Sequence, residues 1–392
     1  MQIGFTEPLD YTGWGTCNIM GLDAFIIPMR DLTPEERGLW QEWQRARPQL
    51  RSPFFNIGFS DAVACEGSGV AVAKLYEAGR LIGFFPYQRR GRTAYPVGAP
   101  MNDYHAVIGD PQTRITLEDV ARLLPVKRLS VNSWIGPDNG NADDRYLRLS
   151  TCQANIGPDG YDAWFEKQRS QHNKYFKDKA RSRRGMESAF GLMRVHIEGA
   201  NHALLDQLIS LKSQQYRRTG RHDIFGPQWT RRLLHRLLDG DNSFKATLAS
   251  LWAGDTLLAM ELSLHADGVW HFWFPAYLET GAKYSPGIWL SMETMRQVCT
   301  RGYDEFDYGF SGEAYKKYFC NRSEQVVEAV IGAGDWTDLV RITTQRPDLA
   351  LSTRRRWAAI EASEPQLGGR ILGTILAGRS LVGRLARKES SK

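Results

Sequence analysis

The sequence lacks the cysteine and histidine patterns of a disulfide-linked or metal-binding protein. Its five cysteines are odd in number, far apart and form no CxxC pair, which argues against a disulfide framework and a zinc-ribbon site. The eight histidines include no HExxH motif and no pair four residues apart, so we expect no metal site. The GxSxG elbow, the Walker A loop and the GxGxxG dinucleotide fingerprint are also absent.

Targeting signals and membrane-spanning runs are missing too. The N-terminal stretch MQIGFTEPLDYTGWG has no basic segment followed by an apolar one, and no apolar run approaches the ~20 residues of a spanning helix. We therefore expect a cytoplasmic protein. The 392 residues suffice for two domains. The net charge of +6 fits an anionic ligand, nucleic acid or an acidic membrane surface, and selects none of them.

The clearest pattern of secondary structure lies at 245–310. Alternating apolar residues, aromatic side chains and two Gly-containing turns predict a meander of three strands that leads into a helix and a short strand. The predicted strands are Lys245–Trp252, Thr256–His265, Val269–Tyr277 and Glu305–Tyr308, and the predicted helix is Ile288–Thr300.

The junction Ser285-Pro286-Gly287 lies directly before this helix. The first amide groups of a helix have no partner within it, and the helix dipole adds partial positive charge there. Since glycine lets a ligand approach the backbone, the junction can hold a phosphate or pyrophosphate. The alternative is an ordinary serine cap next to a proline.

The N-terminal part contains a related hairpin, predicted at Val70–Tyr76 and Leu81–Tyr87. The segment that begins at Ala73 matches the segment that begins at Ala249 if one residue is skipped, which indicates a weak internal repeat. Strands and helices alternate in both parts. The sequence therefore predicts an α+β (α/β-like) fold with two related halves, in which helices flank mixed sheets.

Two segments are strongly basic. Residues 162–190 are predicted to form one helix with eight Lys or Arg between Lys167 and Arg184, which either follows phosphates or is a solvated face. No nucleic-acid motif accompanies the helix, and we expect no DNA partner. The tail at 354–388 mixes Arg and Lys with Leu, Ile and Val. It either lies on an anionic membrane surface, packs on the protein itself or is partly disordered.

Five polar residues remain as candidates for catalysis. Glu261 is a carboxylate in an apolar strand; it lies either in a wet cleft, where it can accept a proton, or in a paired core position, or on an exposed strand. Asp307 is expected at a strand end, where α/β sites occur. Tyr315 can donate a proton and Lys316 can hold a phosphate or oxyanion, unless both are loop anchors. Glu313 belongs to the same group.

Three segments together carry a family resemblance: Ser285-Pro286-Gly287, then Phe306-Asp307-Tyr308-Gly309, then Gly312-Glu313-Ala314-Tyr315-Lys316. They resemble the GNAT-fold acyltransferases of the CelD-like (cellulose and polysaccharide biosynthesis) family, which is related to the Fem-type aminoacyltransferases. The resemblance covers about 20–335. It implies tandem GNAT-like halves at 1–150 and 151–335, followed by a basic tail at 336–392.

The resemblance also implies direct acyl transfer from acyl-CoA, with acetyl-CoA as the expected donor. Its catalytic residues would be Glu261, Asp307, Tyr315 and Lys316. Its donor-binding residues would be Phe274, Tyr284, Ser285, Pro286, Gly287, Ile288 and Trp289. One departure is that 278–290 does not fit the [RQ]xxGx[GA] pyrophosphate loop of ordinary GNAT enzymes.

The sequence thus predicts an acyltransferase that acts on an amine or hydroxyl of a sugar or polysaccharide precursor. One alternative is aminoacyl transfer from a charged tRNA, in which the basic helix would bind the tRNA. Another is a non-catalytic GNAT-like scaffold that contacts the inner face of the membrane through 354–388.

Overall fold

The computed structural model describes residues 17–19, 21–137, 146–197, 199–240, 244–310, 314–334 and 347–375. The strands are β1 (Cys17–Ile19), β2 (Leu22–Ile27), β3 (Val70–Glu77), β4 (Arg80–Arg90), β5 (Thr93–Pro96), β6 (Ile108–Gly109), β7 (Arg128–Trp134), β8 (Leu147–Asn155), β9 (Met193–Ile197), β10 (Phe244–Ala253), β11 (Thr256–Ala266), β12 (Val269–Tyr277), β13 (Glu305–Phe310) and β14 (Gln325–Gly332). The α-helices are α1 (Pro34–Ala46), α2 (Ile57–Glu66), α3 (Leu117–Leu123), α4 (Gly160–Gln171), α5 (Asn173–Phe190), α6 (His202–Arg218), α7 (Gln228–Leu238), α8 (Pro286–Cys299) and α9 (Pro347–Ser363).

All these strands belong to one mixed sheet. Its order is β1-β2-β3-β4-β5-β7-β14-β8-β13-β12-β11-β10-β9, and β6 pairs with β4 off this path. Along the chain, each half runs from a strand through two helices to three successive strands, then through a helix to a strand; the N-terminal half adds the short β6 before that last helix. That final strand is parallel to the third strand in both halves, as β5 with β7 and as β12 with β13.

The two hairpins share a local irregularity that supports the internal repeat. The β3–β4 register shifts between Leu75 and Tyr76, and the β10–β11 register shifts between Leu251 and Trp252. These residues are equivalent in the sequence alignment of the two segments. Since a bulge adds one residue to one strand and increases the local twist, its recurrence shows that the halves repeat a detail of backbone structure.

The halves exchange strands at the centre of the sheet. Strand β8 follows the N-terminal half in sequence but pairs with β13 of the C-terminal half. Strand β14 ends the C-terminal half but pairs with β7 of the N-terminal half, and also with β8. The predicted domain border at 150 lies within β8.

The ends of the central elements agree with the sequence prediction to within about two residues. The prediction of a single basic helix at 162–190 is wrong. The structure has two helices, α4 and α5, because His172 leaves helical geometry with φ −125° and ψ 39°. Within the described residues, no helix combines the length and the apolar character that a membrane crossing requires.

Candidate active site

A cavity opens where two neighbouring strands separate. Strands β12 and β13 pair only from Val269 with Glu305 to His271 with Asp307, although β12 continues to Tyr277. Beyond that point the strands diverge, and a cavity of about 600 Å³ lies between them. We call it the central cavity. Phe272 and Phe274 line it from β12, and Tyr308 lines it from β13.

The N-terminus of α8 faces the central cavity without a serine cap. Ser285 has left-handed backbone angles (φ 55°, ψ 51°), and its side chain makes no capping hydrogen bond. This geometry rules out the ordinary serine cap. A Cβ added at Gly287 would meet no atom within 4 Å. The glycine is therefore not required by packing, and it leaves the first turn of α8 open to a ligand.

Helix α5 supports this turn from behind. Lys179 donates a hydrogen bond to Ser285 Oγ at 2.8 Å, and Ser182 Oγ donates to the carbonyl of Tyr284 at 2.6 Å. Burial lowers the pKa of Lys179, although Asp178 opposes the shift. The left-handed Ser285 is thus held by a helix from an earlier part of the chain.

Glu261 is a buried residue that lines the central cavity. Its side chain is buried, with 4% relative exposure, and Oε1 has no hydrogen-bond partner among the described residues. Burial raises the pKa of Glu261 to about 8, while the positive charges of His271, Lys212 and Lys316 oppose the shift. A carboxyl group with this pKa can exchange a proton near neutral pH. Of the three settings left open for Glu261, the structure excludes an exposed strand, because the residue is buried and lines the central cavity.

His271 lies between two carboxylates, one of which, Asp103, lines the central cavity. Its Nε2 donates to Asp103 Oδ2 at 2.8 Å, and its Nδ1 lies 3.3 Å from Asp307 Oδ2. Burial alone would lower the pKa of His271, but the two carboxylates outweigh it and raise that pKa to about 9. Tyr104 and the Gly309 amide donate to Asp307 Oδ1 at 3.0 and 2.7 Å. The imidazole is therefore a buried cation.

Two lysines add positive charge to the cavity wall. Lys212 donates to the carbonyl of Pro275 at 3.2 Å, and Lys316 donates to the carbonyl of Tyr308 at 2.5 Å. Both lysines are buried, and Arg221 also lines the cavity. The wall is therefore suited to a ligand that carries negative charge or develops it during reaction.

Most of the predicted site residues meet at the central cavity. Those that line it are Glu261, Phe274, Ser285, Pro286, Gly287, Ile288, Tyr315 and Lys316. Asp307 lies behind them as the partner of His271. The ring of Tyr284 lies edge-on to that of Phe190 of α5, with the centroids 6.0 Å apart, and the ring of Trp289 lies 5.3 Å from the guanidinium of Arg183. Glu313 lies outside the described residues. Their catalytic and binding roles stay predictions.

The sequence reasoning did not select several residues that the structure brings to this site. They are Asp103, Lys179, Lys212, Arg221, His271 and Ser291. The local signals in the sequence were the segment Asp103-Tyr104-His105, the basic run that contains Lys179 and the aromatic strand that contains His271.

The basic segments are placed as follows. Lys174, Lys177, Arg181 and Arg184 are exposed on α5, and the spacings of three and four residues put them on one face. In the tail, Arg354 and Arg355 pair with Glu328. The large apolar side chains exposed in 367–375 are Leu367, Ile371, Leu372 and Ile375. Residues 376–388 lie outside the described residues.

Comparison with known proteins places a family domain on this part of the chain. Residues 173–317 match the family model described as an acetyltransferase (GNAT) domain, which is less than half of the chain. No curated protein matches the sequence significantly. The CelD-like family is not confirmed.

Solved structures of similar shape were also found. FemX has a TM-score of 0.49 at 10% identity, over 81% of this chain and 99% of its own. A tandem GNAT protein from the clavulanic acid biosynthesis pathway has a TM-score of 0.45 at 10% identity, over 80% and 99%. A conserved protein of unknown function from Bacteroides thetaiotaomicron has a TM-score of 0.47 at 9% identity, over 76% and 98%. These scores carry no argument about function.

The strand exchange, the repeated order of elements and the family match agree with the predicted tandem GNAT-like α+β fold. The chain therefore contains an acetyltransferase (GNAT) domain at 173–317, and the prediction of an acyltransferase of the GNAT superfamily is confirmed at this level.

Proposed function

We propose that the chain transfers an acyl group from acyl-CoA directly to an amine or hydroxyl of a sugar or polysaccharide precursor. One observation carries the proposal: the buried carboxyl group of Glu261 and the uncapped start of α8 face the same cavity. The first suits proton transfer from an acceptor, and the second suits a diphosphate.

The donor fits the walls of the central cavity. Its diphosphate would lie at Ser285–Gly287, where the helix dipole and the open Gly287 favour an anion close to the backbone. The thioester would lie between the aromatic residues of β12 and Tyr308. The turn before α8, which Lys179 and Ser182 of α5 hold by hydrogen bonds, would then take the place of the [RQ]xxGx[GA] loop.

In the proposed step the acceptor nitrogen or oxygen attacks the thioester carbonyl. The new C–N or C–O bond forms as the C–S bond breaks, and the proton of the acceptor passes to ionised Glu261. The departing thiolate takes a proton from Tyr315. Lys316 stabilises negative charge on the carbonyl oxygen, and Asp307 positions His271. This arrangement needs only orientation, a base and a polarising cation.

Isothermal titration with acetyl-CoA tests the donor, and mass spectrometry of co-purified ligand tests it independently. We expect saturable binding that weakens when Lys179 is replaced by Ala. The absence of heat up to millimolar acetyl-CoA, together with the absence of any CoA species in the purified protein, would contradict the donor assignment.

A second candidate is aminoacyl transfer from charged tRNA. It is favoured by the exposed row of Lys174, Lys177, Arg181 and Arg184, because a row of cations can follow phosphates. Changing all four residues to Gln should abolish tRNA retention on a filter. A control removes four exposed cations of the N-terminal half: Arg80, Arg114, Arg122 and Lys127. Equal retention by both variants would dismiss this candidate.

Contact with an anionic membrane through the tail is a further part of the proposal. The exposed apolar side chains of 367–375 support it, because the sequence continues from them into the basic residues Arg379, Arg384, Arg387 and Lys388. Replacing Leu367, Ile371 and Ile375 with Ser should reduce co-sedimentation with phosphatidylglycerol vesicles. The exposed Leu192 serves as a control site. Unchanged sedimentation of the triple variant would remove this part.

A further inference from the structure

A second cavity of about 470 Å³ lies beneath helix α9. Its roof is formed by three alanines of α9, namely Ala358, Ala359 and Ala362. Its floor includes Leu149 and Val330, which belong to the exchanged strands β8 and β14. Small side chains above and aliphatic side chains below leave an apolar space, which we call the apolar cavity.

The roof is fixed to the rest of the protein. Arg90 Nε donates to the carbonyl of Ala362 at 3.1 Å, and Trp229 donates to the carbonyl of Ser363 at 2.8 Å. Arg128 pairs with Glu361 at 3.1 Å. These bonds anchor the C-terminal end of α9 above the apolar cavity. Larger side chains at 358 and 359 would fill it.

The apolar cavity adjoins the central cavity, and Pro100 and Phe310 line both. Elsewhere its wall carries an ion-paired group in which Glu328 binds Arg355 Nε at 2.8 Å and Arg354 at 3.5 Å. An aliphatic chain would have to displace these charges to enter there. The side next to Phe310 is therefore the favourable route, and Phe310 lies two residues along β13 from Tyr308, beside which the thioester is proposed to lie.

We propose that the apolar cavity binds the aliphatic chain of the transferred acyl group, so that the donor is a long-chain acyl thioester; this inference rests on the proposed function. The bonds that form and break are those of the proposed step. The C–S bond breaks as the C–N or C–O bond forms, and the acceptor proton passes to Glu261. Only the chain on the carbonyl carbon changes.

Calorimetric titration of the full chain with acetyl-, lauroyl- and palmitoyl-CoA, below micelle-forming concentrations, tests the inference. Burial of methylene groups should make the long-chain thioesters bind at least about tenfold more tightly than acetyl-CoA. Ala359→Phe should remove this gain and leave acetyl-CoA affinity unchanged. Ala358→Phe provides a second block if the first variant fails to fold. Ala189→Phe, on an exposed site of α5, should change neither affinity.

Other outcomes separate this inference from the proposed function. Equal affinity for all three thioesters, or equal loss of all three in Ala359→Phe, would overturn the inference and leave the acyl-CoA donor in place. A gain that appears only with a dodecyl-bearing acceptor would place the chain on the acceptor and overturn the inference, with the acyl-CoA donor left in place. If no thioester binds, the proposed donor fails. Laurate binding that Ala359→Phe abolishes would then still support an alkyl-chain site, and laurate binding that this variant leaves unchanged would overturn it.

Discussion

At the scale of single residues, Glu261 determines how the proposed reaction depends on pH. Burial raises the pKa of Glu261 to about 8, so the carboxylate that accepts the proton forms only as pH approaches that value. We expect kcat/KM to rise about tenfold per pH unit below pH 8 and to level above it. Glu261→Gln should lower kcat by about 10²–10⁴-fold and remove this dependence. A flat pH–rate profile in the wild type would contradict the assignment.

The raised pKa of Glu261 should also make the unfolding free energy depend on pH. The folded-state pKa of about 8 lies above the ordinary 4.5, so the stabilising contribution is full below pH 4.5 and is lost as pH rises through about 8. Between pH 5 and 9 the wild type should lose several kcal/mol more unfolding free energy than Glu261→Gln, since each pKa unit corresponds to ~1.4 kcal/mol. Urea unfolding at both pH values measures the difference. Parallel losses in the two proteins would count against a raised pKa.

His271 should tune this titration through its charge. Its cation opposes the raised pKa of Glu261, so His271→Gln should move the midpoint of the pH–rate profile above pH 8. It should also destabilise the fold by about 3–5 kcal/mol, because Asp103 and Asp307 lose a buried partner. His265→Gln is a matched control, since burial lowers the pKa of His265 to about 4 and keeps it neutral. If the midpoint of the pH–rate profile does not move in His271→Gln, the charge of His271 does not act on the titration of Glu261.

The residue scale also shows what the sequence could not reveal. Glu261 could be selected as a candidate because a charged residue stands out within a predicted strand of apolar residues. Asp103 and His271 could not be paired, because 168 residues separate them and only the folded sheet brings them together. No spacing rule describes a contact made by two halves of a fold.

At the scale of elements, the predictable parts are those with a strong local pattern. The meander and α8 have alternating or helical apolar residues and glycine turns, so their positions follow from the chain itself. The break at His172 has no such signal, since neither glycine nor proline occurs there. The left-handed Ser285 was also unforeseen, because α5 holds it through a tertiary contact.

A substitution at the start of α8 should weaken acyl-CoA binding without changing the stability of the fold. In Gly287→Val the new side chain meets open space, so we expect the unfolding free energy to change by less than about 1 kcal/mol. The same side chain would occupy the approach to the first amides of α8, so affinity for acyl-CoA should fall at least about tenfold. Gly38→Val is the control, because Gly38 is an exposed helical glycine of α1 with similar open space. Equal donor affinity in both variants would show that no diphosphate approaches Gly287.

At the scale of the whole molecule, the strand exchange makes the halves depend on each other. Val327, Ala329 and Ile331 of β14 belong to the hydrophobic core that includes Leu129 and Val131 of β7. A fragment that ends before 138 would expose that core and the edge of β7. We therefore expect residues 1–137 alone to lack a cooperative thermal transition, although two sequence-related halves suggest two independent domains.

A cut made after folding should have the opposite result. A protease site inserted at 138–145, between β7 and β8, leaves every described strand intact. Because β14 of the C-terminal piece is paired with β7 of the N-terminal piece, the two pieces should elute together on gel filtration and separate only in denaturant. The uncut protein with the same insertion is the control, and its melting temperature should match that of the wild type. Separation of the cleaved pieces in native buffer, or a cooperative melt of 1–137, would show that each half folds by itself.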